Sequence, residues 1–84
     1  MRYVLSSHAS QSLLERGISV AEVDEVLRNP QQVVDNWSGG HCYQSKLSGP
    51  GGRIYLLRVI VNDTVNPARV VTAYRTRRIS KYWR

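Results

Sequence analysis

The fold of this chain is decided by one stretch in its second half, Arg53-Ile54-Tyr55-Leu56-Leu57-Arg58-Val59-Ile60-Val61. The stretch is rich in β-branched side chains, which favour extended backbone. It is apolar at almost every position rather than at every second one, which is typical of a strand covered on both faces. We therefore predict that this segment is the central strand of a sheet.

Turn signals divide the second half of the chain into further strands. Stretches rich in glycine, asparagine and proline lie at 38–40, 48–52 and 62–67. The strands predicted between them are 32–37, 41–47, 53–61 and 69–74. Because short turns join strands that are consecutive in sequence, we expect these strands to pair as an antiparallel meander. The tail 75–84 either extends the last strand or forms a short helix.

The first third of the chain carries the signals of two short helices. Residues 2–5 are interpreted as a short lead-in strand. Ser6 or Ser7 can then cap the first helix, and Gly17 stands where a helix commonly ends in left-handed backbone. These signals predict a helix between the serines and Gly17.

The second helix has a clearer beginning. Ser19 and Glu22 have the spacing of a capping box, in which each residue binds the backbone of the other. Asn29-Pro30 ends this helix, because the residue before a proline is disfavoured in helical backbone. The sequence thus predicts an α+β fold, with two N-terminal helices packed on an antiparallel sheet of about four strands. A chain of 84 residues fits a single domain spanning 1–84.

The charge of the chain is concentrated in its second half. Residues 1–35 hold three arginines and five acidic residues, whereas residues 36–84 hold nine basic residues and one acid, Asp63. Most of the basic residues are arginines, whose guanidinium group binds phosphate through two hydrogen bonds. The pattern favours RNA or another polyanion as a partner. A basic surface that only increases solubility is the alternative.

Cysteine content and hydropathy argue against a disulfide-stapled, a zinc-binding or a membrane-spanning protein. The single cysteine, Cys42, cannot form a disulfide within the chain, which favours a reducing compartment and a structural role. Its neighbour His41 lacks the further ligands that a zinc site needs. No apolar run approaches the roughly 20 residues of a membrane helix, and no signal peptide is visible. We expect a cytoplasmic protein that needs neither a metal nor another cofactor.

His8 is the first candidate for chemistry. It stands in the first turn of a predicted helix, and imidazole can exchange a proton near neutral pH. A proton-transfer group in a small arginine-rich domain suggests chemistry on a phosphodiester. The alternative is a capping or surface histidine.

Three strand residues are further candidates. Arg58 interrupts the central strand on the face shared by Ile54, Leu56 and Ile60, where a charge requires a partner or a ligand. Alternatively its stem packs and its head reaches solvent or pairs with an acid such as Glu15. Thr72 and Tyr74 share one face of the last strand and could bind a phosphate oxygen, although ordinary strand-forming residues would look the same.

Other residues are expected to contact RNA. Tyr43 could stack on a base and Lys46 could neutralise a phosphate, although alternation places them on opposite faces. The tail interleaves arginines with Tyr82 and Trp83, a composition that suits contact with backbone and unpaired bases. The predicted RNA contacts are Arg16, Tyr43, Lys46, Arg53, Arg75, Arg77, Arg78 and Lys81.

Several of these motifs together resemble the domain-of-unknown-function family 4258. The residues that carry the resemblance are Ser6-Ser7-His8-Ala9, Glu15-Arg16-Gly17-Ile18-Ser19, Glu22-Val23-Asp24-Glu25-Val26-Leu27, Asn29-Pro30 and Val70-Val71-Thr72-Ala73-Tyr74. That family is grouped with the BECR fold, which includes barnase, colicin nucleases and RelE-like toxins. The resemblance implies a RelE- or barnase-like fold and metal-independent cleavage of RNA, often by the toxin of a toxin–antitoxin pair.

The resemblance also implies roles for single residues. His8 matches the family's helix histidine, Thr72 and Tyr74 match its final-strand polar positions, and Arg58 or Lys46 could fill its basic position on a middle strand. The basic tail is similar to the end of BrnT-like toxins.

The implied protein is a small ribonuclease that activates a ribose 2′-hydroxyl. Its partners are RNA, which can be messenger RNA on the ribosome, and an acidic antitoxin protein. The alternative is a non-catalytic RNA-binding or protein-interaction module of the same fold, because no acidic residue stands near the proposed site.

Overall fold

The computed structural model describes residues 1–36 and 39–84. In chain order the elements are β1 (Tyr3–Leu5), α1 (Ser7–Arg16), α2 (Val20–Arg28), β2 (Gln32–Asp35), β3 (His41–Ser48), β4 (Ile54–Asn62), β5 (Ala68–Thr76) and α3 (Ile79–Tyr82). A short 3-10 turn at Pro50–Gly52 joins β3 to β4. The predicted strand 32–37 ends at Asp35, and its last residue Trp37 and the turn residue Ser38 lie outside the described residues.

The strands form one sheet in the order β1-β5-β4-β3-β2. β2 to β5 pair antiparallel with their sequence neighbours, which confirms the predicted meander. β1 pairs parallel with β5, from Tyr3 opposite Ala68 to Leu5 opposite Val70. The expected antiparallel sheet of about four strands is therefore a mixed sheet of five, because the lead-in strand occupies the outer edge of β5.

The two N-terminal helices form where the sequence predicts them. Ser6, rather than Ser7, caps α1, since its side chain accepts from the backbone N–H of Ala9, and Gly17 ends the helix at a φ of 63°. In α2, Ser19 and Glu22 form the predicted capping box. The tail combines both expectations, because β5 extends to Thr76 and the short helix α3 follows. Each helix in the described part of the chain is too short and too polar to span a membrane.

α1 and α2 cover one face of the sheet and enclose the main core. Apolar side chains of both helices pack there against Leu57, Val59 and Val61 of β4. The full burial of these three side chains stabilises the fold by about 1.5–3 kcal/mol each. We call the opposite face the tail face, because Tyr82 and Trp83 of the C-terminal tail contact it.

The register across β3, β4 and β5 arranges the polar residues of the tail face in rows. Gln44 lies opposite Arg58, which lies opposite Tyr74. Residues directly opposite each other in a sheet point to the same face. The sheet therefore brings a guanidinium, an amide and a phenol together in the middle of the tail face.

Candidate functional site

His8 belongs to a chain of polar contacts between α1 and β5. Its Nε2 lies 3.5 Å from the hydroxyl of Ser12, one turn further along α1. Thr72 of β5 donates from its hydroxyl to Ser12 Oγ over 3.4 Å. Arg16, another turn along, donates from Nη1 to Thr72 Oγ1 over 3.2 Å. We call these four residues the edge cluster; the three on α1 share one stripe because they are four residues apart.

A β-bulge in β5 positions Thr72 for this contact. Thr72 lies opposite Ile60 and Val70 lies opposite Val61, so that Val71 is an extra residue in β5. A bulge of this kind bends a strand and redirects the side chains beside it. The bulge therefore helps Thr72 to reach across the strand edge to α1.

α1 also replaces β1 along the edge of β5. β1 ends opposite Val70. Ser6 then donates from its backbone N–H to the Val70 carbonyl, and Arg16 donates from Nη1 to the Ala73 carbonyl over 2.8 Å. These contacts satisfy edge carbonyls that β1 leaves unpaired, and they fix α1 to the strand that carries Thr72 and Tyr74.

Arg58 occupies the middle of the tail face and is held by neutral partners. Its Nε donates to Gln44 Oε1 over 2.9 Å, and its Nη1 donates to the Tyr74 hydroxyl. The guanidinium carbon lies 4.2 Å from the ring centroid of Tyr82. We call Gln44, Arg58, Tyr74 and Tyr82 the tail cluster.

No carboxylate within residues 1–36 and 39–84 pairs with Arg58. Glu15, which sequence analysis offered as a partner, instead accepts from Gln11 over 2.9 Å. The positive charge of Arg58 is therefore not neutralised by the part of the chain that the structure describes.

Gln44 organises the tail cluster and ties the C-terminal segment to the sheet. It is fully buried, and its Nε2 donates to Gln32 Oε1 over 2.8 Å and to the Tyr82 carbonyl over 3.2 Å. Gln32 in turn binds both backbone polar groups of Arg84. Because an unpaired polar group in a core is costly, these bonds fix Tyr82 over Arg58.

Burial controls the protonation of two groups near Arg58. Burial raises the pKa of Tyr74, and the hydrogen bond and charge of Arg58 offset this only in part. The Tyr74 phenol therefore keeps its proton at neutral pH. Burial likewise raises the pKa of the Cys42 thiol. Cys42 is thus a buried thiol within the fold.

The four predicted catalytic residues come together as two pairs rather than as one group. His8 is linked to Thr72 through Ser12, and Arg58 is bonded to Tyr74. Thr72 and Tyr74 are two residues apart on β5, which is about 7 Å along a strand. β5 therefore connects the edge cluster to the tail cluster.

The predicted RNA contacts are spread over both faces of the sheet. Arg16 belongs to the edge cluster, and Arg53, Arg75 and Arg77 line a pocket at the β3–β4 turn. On the tail side, Lys46 and Lys81 are exposed and lie 4.0 Å and 5.3 Å from the ring centroids of Trp83 and Tyr82. Arg78 is exposed just before α3.

Tyr43 lies on the helix-covered face, opposite to Lys46 as alternation predicts. Its ring packs against the core, and its hydroxyl donates to Asp63 over 2.9 Å. The carboxylate of Asp63 also binds His41 Nδ1 at 2.7 Å. Within the described residues, no three histidine, cysteine or acidic side chains come close enough to hold a metal ion.

Sequence reasoning missed Ser12, Gln44 and Tyr82 as members of the two clusters. The signal for Ser12 was its position four residues after His8 in a helix. The signal for Gln44 was a polar side chain in register with Arg58. Nothing local marked Tyr82, because its contact with Arg58 depends on the path of the tail.

A family model described as Domain of unknown function (DUF4258) matches residues 5–75. No curated protein and no solved structure shows a significant match to the chain. The matched part contains the whole edge cluster, whereas Tyr82 of the tail cluster lies outside it.

Proposed function

Because the chain belongs to the DUF4258 family, and because its α1–β5 edge holds an imidazole beside two hydroxyls and a guanidinium, we propose that it is a small metal-independent ribonuclease. It acts as a RelE-like toxin, and its second partner is an acidic antitoxin that covers the basic surface. The observation that carries the proposal is the chain of polar contacts from His8 through Ser12 and Thr72 to Arg16.

The proposed reaction consists of two proton transfers around one phosphate. His8 Nε2 takes the proton of a ribose 2′-hydroxyl, and the 2′-oxygen attacks the neighbouring phosphorus. The bond from phosphorus to the 5′-oxygen breaks, and that oxygen receives a proton from the Tyr74 phenol. The products are a 2′,3′-cyclic phosphate and a 5′-hydroxyl end.

Arg16 is the guanidinium best placed to stabilise the charge that develops on the phosphate. Among its contacts with residues 1–36 and 39–84, only Nη1 is engaged, with Thr72 and Ala73, and no carboxylate of these residues pairs with it. Preorganised donors of this kind stabilise a transition state more than a ground state. Arg58 donates from Nη1 to the Tyr74 hydroxyl and thereby positions the proton donor.

The test is cleavage of single-stranded RNA by the purified protein in EDTA, with the cyclic phosphate detected by mass spectrometry. We expect His8→Ala to lower the rate about 100-fold or more. His41→Gln is the matched control, since His41 is engaged by Asp63 and lies outside both clusters, and it should cleave as the wild type does. Equal cleavage by wild type and His8→Ala, or no cleavage by wild type, would rule the proposal out.

A second candidate function is a non-catalytic RNA-binding module. The observation that favours it is the separation of His8 from Arg58, together with the absence of a carboxylate from the edge cluster. This candidate predicts RNA binding that weakens steeply with salt, without turnover. A filter-binding titration run beside the cleavage assay distinguishes the two.

A further inference from the structure

A pocket of about 320 Å³ lies where the β3–β4 turn meets the end of β5. Its lining includes Gly49, Tyr55 and three arginines, Arg53, Arg75 and Arg77. None of its lining residues belongs to the edge cluster or to the tail cluster. The volume is at the lower end of the range of about 300–1,000 Å³ for small-molecule sites.

One wall of the pocket is held in place by hydrogen bonds to α2. Arg75 donates to the Gly17 carbonyl over 2.8 Å and to both carboxylate oxygens of Glu22 over 3.3 Å. Tyr55 donates to Glu22 Oε2 over 2.7 Å, and the Arg75 guanidinium lies 5.2 Å from its ring centroid. The turn packs closely on this wall, because a Cβ at Gly49 would lie 2.9 Å from Tyr55 Cε1.

The rim of the pocket carries uncompensated positive charge. Arg53 and Arg77 are exposed, and no carboxylate in the described part of the chain pairs with either. The negative charge of Glu22 is paired with Arg75, so it does not neutralise Arg53 or Arg77. A rigid wall with two unpaired guanidiniums at its rim suits a phosphate group, which guanidinium binds through paired hydrogen bonds.

The pocket is also close to the edge cluster along the chain. Arg75 lies three residues after Thr72, which is about 10 Å along a strand. It donates from Nη1 to the carbonyl of Arg16, whose own side chain belongs to the edge cluster. A polynucleotide lying along this end of β5 can therefore present different phosphates to the two places.

We propose that the pocket at the β3–β4 turn binds a backbone phosphate of RNA other than the one that is cleaved, with Arg53 and Arg77 as its ligands. The inference rests on the proposed function in taking RNA as the source of the phosphate. Arg75 is a positioning residue here, since its donors are already engaged with Glu22 and the carbonyls of Arg16 and Gly17.

The first arm of the test measures RNA binding without cleavage. A fluorescent RNA oligonucleotide with 2′-O-methyl groups cannot be cut, so its affinity is measurable whether or not the protein is an enzyme. We expect Arg53→Gln combined with Arg77→Gln to weaken binding about tenfold and to lower the slope of log affinity against log salt by about one. Arg69→Gln, which removes an exposed arginine from the opposite end of β5, is the matched control and should change affinity less than about twofold.

The second arm identifies where the phosphate lies. In an NMR titration with the same RNA, the backbone amides of residues 49 and 51–53 should shift in the wild type and not in the double variant. An equal loss of affinity in Arg69→Gln, or RNA-induced shifts that spare this turn, overturns the proposal. Shifts at the turn with inorganic phosphate but not with RNA overturn its assignment to RNA. Failure of cleavage alone concerns only the edge cluster.

Discussion

The edge cluster and the tail cluster hold their arginines in opposite ways. Arg16 is exposed, engages Thr72 and Ala73 through one nitrogen, and shares its cluster with an exposed His8. Arg58 is half-buried, bound to a fully buried Gln44 and covered by the ring of Tyr82. The first arrangement leaves donors accessible to a substrate, whereas the second stabilises the sheet and its tail. The difference teaches that the partners of an arginine, rather than its nearness to β5, decide whether its donors stay accessible.

The largest expected effect is on the rate of RNA cleavage, when Arg16 and Arg58 are replaced by alanine in separate variants. Arg16→Ala should lower the rate of RNA cleavage about 100- to 1,000-fold, since it removes a donor to the developing charge, with little change in thermal stability. Arg58→Ala should reduce cleavage less and lower the melting temperature more. A larger loss of rate in Arg58→Ala than in Arg16→Ala would reverse the proposed division between the clusters.

Gln44→Leu tests how rigidly the tail cluster is held. The change keeps the side-chain size and removes the partners of Arg58, Gln32 and the Tyr82 carbonyl. We expect a loss of about 2–3 kcal/mol in the free energy of unfolding, measured by urea denaturation, because buried polar groups lose their hydrogen bonds. Gln11→Leu on the exposed surface of α1 is the control and should change it by less than about 0.5 kcal/mol. Similar losses in both variants would show that Gln44 does not organise the tail.

Lowering the pH should weaken the contacts of Arg75, which a carboxylate holds, and leave those of Arg58, whose partners are neutral. Burial of Glu22 raises its pKa, but hydrogen bonds from Ser19, Tyr55 and Arg75 outweigh burial and lower the pKa from 4.5 to about 2. A lowered pKa contributes stability that is present above the unfolded value of 4.5 and is lost as pH falls towards 2.

Glu22→Gln should therefore cost roughly 2 kcal/mol at pH 7, after allowing for solvent screening, and the gap to wild type should close below pH 4.5. Urea midpoints measured at several pH values check this. If the difference in unfolding free energy between wild type and Glu22→Gln stayed constant down to pH 2, the Glu22 carboxylate would not be the source of this stability. Gln44→Leu is the comparison, since Gln44 does not titrate.

The smallest expected effect concerns the ring above Arg58. Tyr82→Leu removes the cation–π contact and should lower the free energy of unfolding by about 1 kcal/mol. Tyr82→Phe keeps the ring and should retain most of that stability. If the phenylalanine variant were as unstable as the leucine variant, the hydroxyl of Tyr82 rather than its ring would be responsible.

Local signals made much of the fold predictable. Turn residues marked the ends of β2 to β5, and Ser19 and Glu22 fixed the start of α2 through side-chain bonds to nearby backbone. The parallel pairing of β1 was not predictable from such signals, because it depends on the free edge of β5, more than sixty residues away in sequence. Residue propensity and hydrophobic periodicity are properties of short stretches of chain. The order of strands in a sheet depends instead on contacts between segments far apart in sequence.

The candidate site was predictable to a similar extent. His8, Arg58, Thr72 and Tyr74 all lie at positions that helical or strand period assigns to them, and Thr72 and Tyr74 do connect the two clusters. The separation of His8 from Arg58 was missed, because it follows from the bulge at Val71 and the seating of α1 on the edge of β5. Neither the bulge nor the position of α1 on β5 is marked by a sequence pattern within a single helix or strand.

The contact between Arg16 and the Ala73 carbonyl has a consequence for behaviour in concentrated solution. An exposed strand edge with free carbonyls is a template for pairing with a second molecule. Arg16 occupies this acceptor beyond the end of β1, so the same side chain discourages intermolecular β-sheet formation. Arg16→Ala should therefore free this carbonyl for pairing with a second molecule.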